Sequence, residues 1–151
     1  MKQNKKLLTI SVTKNINQSL KITNNKEEVI DVQTMFDDLF KLDRLYIAKY
    51  IAIYVNKGFF VFLITYDDML IREFNNLIML YTIKDIDKKN SLMKKYGYEE
   101  CHLLNPDDLE IRDGNCNIEV TELGFSIPSI DNEINSLNNR SEEIYFTLHS
   151  K

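Results

Sequence analysis

Phe59-Phe60-Val61-Phe62-Leu63-Ile64 is the stretch on which the fold turns. Six consecutive apolar residues leave no polar side, and a run apolar on both faces is the mark of a central strand. Working upstream, Gly58 stands where a left-handed helix stop is favoured, and the residues from about Glu27 to Asn56 carry helical spacing. Met35, Leu39 and Leu42 share one face, followed by Ile47, Ile51 and Val55 four residues apart. Asp43 is the natural N-cap of the second of these helices. Nearer the start, Leu8, Ile10 and Val12 alternate with polar residues, as do Leu20 and Ile22, which predicts an opening hairpin.

Downstream, Asp67-Asp68 and Asn75-Asn76 read as tight turns, which makes 69–74 and 77–83 strands of an antiparallel meander. Leu70, Phe74, Leu77, Ile78 and Tyr81 also fit a helix, and that alternative stays open. Asp85 to Tyr96 is a short helix, with Lys94 and Lys95 in its last turn and Gly97 as its stop. Tyr98 to Leu104 reads as a strand. Leu109–Arg112, Asp113-Gly114 and Ile118–Val120 form the clearest hairpin signal in the chain. Ile130 to Asn139 is a short helix and Ile144 to Leu148 a closing strand. The expectation is one α+β domain over residues 1–151, with a mostly antiparallel sheet and three or four helices.

Composition narrows the class. The chain has 151 residues, of which 44% are hydrophobic, with eight Phe and eight Tyr, enough to fill a core. Cys101 and Cys116 fit a reducing compartment better than a disulfide scaffold. Leu7–Val12 is too short and too polar for a signal-peptide core. The apolar window Leu45–Ile64 is interrupted by Lys49 and by Asn56-Lys57-Gly58, so no membrane span is expected and the cytoplasm is the default location.

Charge is sorted along the chain. Residues 1–26 hold six lysines and no acid, whereas 99–143 hold twelve acids against Arg112 and Arg140 alone. Acidic surfaces select basic partners and speed their approach.

Motifs for chemistry are sparse. The acid doublets, such as Asp107-Asp108 and Glu142-Glu143, diverge on strands and helices, which suits solvated turns better than acid/base dyads. Cys101, His102, Cys116 and His149 lack the paired spacing of zinc sites, so no metal ligand set is assigned. A Cys–His pair with His149 is a chance pairing as readily as a nucleophile, and Ser91 with Lys94 lies on a lysine-rich polar helix. No catalytic residue is assigned. The four glycines stand far apart, which excludes a phosphate-cradling Gly-rich loop, and no cofactor is expected. Nucleic-acid binding through the N-terminal lysines is disfavoured by the net charge of −4 and by the lack of aromatics among them. Tyr46, Tyr50 and Tyr54 form a helical stripe that reads as the rim of a buried face.

These observations point to a non-catalytic binding module that meets a basic protein partner, with Asp107, Asp108, Glu110, Glu119 and Glu122 as the contact surface. In size and composition alone the chain looks like the immunity proteins that neutralise basic, nuclease-like bacterial toxins; no residue motif carries that likeness. A small enzyme with a site assembled from scattered residues is the first alternative. A nucleic-acid-associated or phage-type regulator that uses the basic N-terminal segment is the second. The oligomeric state is open.

Overall fold

A computed structural model describes residues 5–14, 18–24, 29–31 and 43–150. Among them, β1 (Leu8–Val12), β2 (Ser19–Thr23), β3 (Val29–Asp31), β4 (Phe60–Thr65), β5 (Leu109–Asp113) and β6 (Cys116–Ile118) form one sheet in the order β3-β2-β4-β1-β5-β6. Among the described residues four α-helices accompany them: α1 (Arg44–Asn56), α2 (Asp68–Thr82), α3 (Ile86–Tyr96) and α4 (Pro128–His149). The chain is α+β, as expected. β1 runs parallel to both β4 and β5, while β2, β3 and β6 extend the sheet in antiparallel fashion at its edges.

The apolar run at 59–64 is a central strand, hydrogen-bonded to β2 on one side and to β1 on the other. That placement overturns the opening hairpin: β1 and β2 are separated by β4. The two most apolar strands pair in the middle, and β2, with Ser19 and Lys21, lies outside them. Alternate residues then point to one face. Leu8, Ile10 and Val12, Val61 and Leu63, Leu109 and Ile111, and Leu20 and Ile22 are all buried, under Ile47, Ile51 and Val55 of α1 and Leu70, Phe74, Leu77 and Ile78 of α2. On the other face Lys21, Phe62, Thr9 and Glu110 stand side by side across four strands, and Phe62 remains 41% exposed.

The meander over 67–83 is replaced by α2. Asp67 caps that helix, accepting a hydrogen bond from the Leu70 amide at 3.1 Å, and the 3.6-residue period of Leu70, Phe74, Leu77 and Ile78 faces the core. The asparagine doublet is no turn, since Asn75 reaches across to Phe125. The strand expected over 98–104 is a 3₁₀ turn, Glu100–His102, with irregular chain around it. There Asn56 Nδ2 donates to the carbonyls of Cys101 and Leu103, both at 2.8 Å, and removes them from any ladder.

The short helix and closing strand at the C-terminus are one 22-residue helix, α4, entered through Pro128. At the other end of the chain, Val29–Asp31 is a strand where helix was expected, and Met35, Leu39 and Leu42 lie outside the described residues. Asp43 caps α1 and Gly97 stops α3 in the left-handed region at φ 76°, both as read from the sequence. β5–β6 is a hairpin as expected, but its loop is Gly114-Asn115, with Asp113 paired to Cys116, and its second strand is Cys116–Ile118 rather than 118–120. No helix among the described residues is long and apolar enough to cross a membrane.

Candidate functional site

Parallel strands that diverge to opposite sides of a central strand leave a crevice at their carboxyl ends. Here β4 and β5 flank β1, with Val12 in register with Thr65 and Asp113. The chain leaves these ends as Thr13-Lys14, Tyr66-Asp67 and Gly114, and the first turns of α4 pack over them. Asp113 holds that helix start, its carboxylate accepting from the Ser129 amide at 2.9 Å and from Ser129 Oγ at 2.6 Å. A carboxylate at a helix N-terminus satisfies unpaired amides and the helix dipole together.

One turn further on, Glu133 accepts from the Tyr66 hydroxyl at 2.6 Å and from Lys14 Nζ at 3.1 Å. Those two bonds hold the Glu133 carboxyl below its usual range, while the bond to Glu133 pushes the Tyr66 hydroxyl up. Between strands and helix lies an open cleft of roughly 710 Å³, lined among others by Lys14, Tyr66, Asp113, Asn132, Ser136 and Arg140. Both charge signs and several hydroxyls converge there, which suits a small polar ligand. The sequence pattern assigned none of these residues to a site. Their signal is positional, since Asp113 ends a parallel strand and Tyr66 and Lys14 follow one within two residues, and it exists only once the strand order is known.

The five acids picked from the sequence sit elsewhere. Asp107 and Asp108 belong to a 3₁₀ turn, Pro106–Asp108, that leads into β5. The backbone of that turn is held from below: Lys6 Nζ donates to the Asp107 carbonyl at 2.5 Å and the Leu7 amide to the Asp108 carbonyl at 2.9 Å. Burial, and then the neighbouring Asp107 charge, raise the Asp108 carboxyl, with Lys6 opposing them. Glu110 accepts from Arg112 Nη2 at 2.6 Å and Nε at 2.9 Å, two residues along the same strand face. Asp107 and Glu110 border one shallow groove with Lys6, Ile118 and Val120. Glu119, exposed, borders an adjoining depression with Ile118 and Leu123. Glu122 is exposed beside the end of α2, where its carbonyl accepts from Thr82 Oγ1 at 3.1 Å.

The residues weighed for nucleophilic or metal chemistry are dispersed. His102 is buried and its Nδ1 accepts the Glu99 amide at 2.9 Å, a structural bond. His149 lies at the end of α4 with its Nδ1 2.9 Å from the Tyr145 carbonyl. Both cysteines are free and exposed. Among the described residues no three of His, Cys, Asp and Glu are grouped as a metal would require.

α4 is the third feature. Ile130, Ile134, Leu137, Ser141, Ile144 and Leu148 repeat at alternating steps of four and three, a single stripe along the helix. Its first part is docked: Ile130 is buried and Ile134 packs against the core. Its remainder is bare, with Leu137 50%, Ile144 64% and Leu148 77% exposed.

No family model, curated protein or solved structure matches the chain.

Proposed function

We infer that the chain is a non-catalytic protein-binding module of inhibitor or immunity type, which meets a basic protein through the acid-rich surface around β5 and β6. One observation supports this reading. Among the described residues, the eight carboxylates between Glu99 and Glu122 make a single ion pair, Glu110 with Arg112, and that segment contains no other Lys or Arg. A segment with so little compensating charge repels itself where its acids are neighbours, as the raised Asp108 carboxyl beside Asp107 reflects in part, and a cationic partner relieves that repulsion while being steered in at a high rate. A cytoplasmic location, where a toxin made in the same cell would have to be neutralised, belongs to the same proposal.

The test is affinity capture from lysate with the wild-type chain and a variant carrying Asp107→Asn, Asp108→Asn, Glu119→Gln and Glu122→Gln. A basic protein that is retained by the first, lost from the second and released as salt rises supports the reading. Equal retention by both sinks it.

The cleft beside Lys14, Tyr66 and Glu133 favours a second reading, a small polar ligand or substrate bound at the carboxyl ends of the parallel strands. Metabolite screening of the wild type against an Arg140→Ala, Lys14→Ala variant checks it, through a ligand-dependent rise in melting temperature that only the wild type shows.

A further inference from the structure

The bare half of α4 presents an apolar stripe, and α2 and α3 present an apolar groove with lysines beside it. From Leu137 to His149 the helix runs about 20 Å at 1.5 Å per residue, and a solitary helix of that length is marginal in water. It therefore calls for a cover. On the body, Asn76, Met79, Leu80, Ile83, Leu92, Tyr96 and Tyr98 line a groove of roughly 340 Å³, mostly apolar. Through Asn76 and Met79 it continues along α2 towards Met69 and Leu123, both exposed. Met69, Arg72, Asn76, Met79 and Ile83 follow one side of α2, so the trough extends over about 20 Å. Methionine walls adapt to an incoming apolar stripe.

The rims match in sign. On α3, Lys88, Lys89 and Lys95 flank the Leu92–Tyr96 row that walls the groove. Lys89 Nζ stands 5.9 Å from the Tyr81 ring centre, Lys95 Nζ 5.2 Å from that of Tyr96, and Lys88 3.8 Å from Asp85. On the bare part of α4, Glu142 borders the stripe on one flank, and that part carries Glu142 and Glu143 against Arg140 alone.

We propose that a second copy of this chain is the occupant: in a two-fold dimer, the Leu137–Ile144–Leu148 stripe of each protomer lies in the Met79–Ile83–Leu92–Tyr96 groove of the other, with acidic flank against lysine rim. Reciprocity closes the assembly and doubles the buried area, which is how a modest groove sustains a stable interface. The far end of the groove at Leu123 adjoins Glu119, and Glu122 lies beside the end of α2, but the helix and groove variants leave all five acids in place, so loss of the dimer and loss of a basic partner are distinguishable.

Sedimentation of the full chain, alone and in mixtures, tests it. The wild type is expected to be a dimer, and both Leu137→Asp with Ile144→Asp (helix variant) and Leu92→Asp with Tyr96→Asp (groove variant) are expected to be monomers. All four positions are exposed, and far-ultraviolet circular dichroism checks that the variants fold. Mixing the two variants leaves one intact helix–groove contact per pair and restores a weaker heterodimer. Glu142→Lys weakens the dimer at low salt, and Lys88→Glu with Lys89→Glu in the same chain rescues it. A monomeric wild type, an open polymer, or a dimer that survives the groove variant and so joins helix to helix overturns the proposal.

Discussion

Asn75 and Phe125, fifty residues apart, exchange two hydrogen bonds: Asn75 Nδ2 donates to the Phe125 carbonyl at 2.8 Å, and the Phe125 amide donates to Asn75 Oδ1 at 2.9 Å. One side chain thus substitutes for a strand partner and ties the segment before α4 to the middle of α2. The approach is close enough that a Cβ on Gly124 would lie under 3.0 Å from the Asn75 side chain, and Gly124 itself sits at φ 90°.

Asn75→Ala leaves a partly buried amide and carbonyl unmatched and is expected to cost about 1–3 kcal/mol. Gly124→Ala adds a steric clash and a strained φ to the same site and is expected to cost at least as much. Urea denaturation of the two variants measures both. A loss below about 0.5 kcal/mol, the scale of ordinary surface substitutions, would show that the Phe125 segment is held by other contacts.

Asp67 serves two partners. It caps α2 through the Leu70 amide, and its second oxygen accepts from Arg44 Nε at 2.9 Å, with the Asp67 side chain only 11% exposed. Asp67→Asn keeps a capping oxygen but removes the charge, whereas Asp67→Ala removes both. The expected order of stability is wild type, Asn, Ala, with the cap alone contributing about 1 kcal/mol. Thermal unfolding of the three proteins checks the order.

His102 gives the stability a pH dependence. Burial, and then the Lys49 charge, hold its imidazole below the ordinary 6.5, with Glu99 opposing. The folded chain therefore binds its proton less readily than the unfolded one. The neutral-ring contribution is complete above 6.5 and is lost as pH falls from there through the lower folded value. Protonated Nδ1 has no lone pair left for the Glu99 amide. Denaturation midpoints between pH 7.5 and 5 should fall more steeply for the wild type than for His102→Ala; parallel slopes would show that the ring is not responsible.

The stripe of α4 is expected to split energetically at its middle. Ile130→Ala empties a buried site and should cost about 2–5 kcal/mol. Leu137→Ala and Ile144→Ala, measured at dilution so that association plays no part, should stay within about 0.5 kcal/mol. A large loss at Ile144 would mean that the far end of the helix is coupled to the body.

Local chemistry alone was enough for part of the fold, and that part the sequence by itself determined. The both-sided apolar run at 59–64 demanded a central strand, Asp43 and Gly97 marked helix ends, and Asp113-Gly114 signalled a hairpin whose loop fell one residue later, at Gly114-Asn115, because caps, turns and apolar runs act over a few residues. Where two periodicities competed, local chemistry pointed the wrong way. Paired Asp and Asn at 67–68 and 75–76 looked like turns, yet one aspartate was a cap and one asparagine a long-range brace, roles assigned by partners at Leu70 and Phe125.

Only the tertiary structure decided the strand order, which inserted β4 between β1 and β2 and thereby created a crevice at Lys14, Tyr66 and Glu133. The same holds for α4, whose stripe is uniform in sequence but buried at Ile130 and bare at Leu148. Pairing and burial depend on which segments meet in space, and residues distant along the chain carry no local mark of meeting.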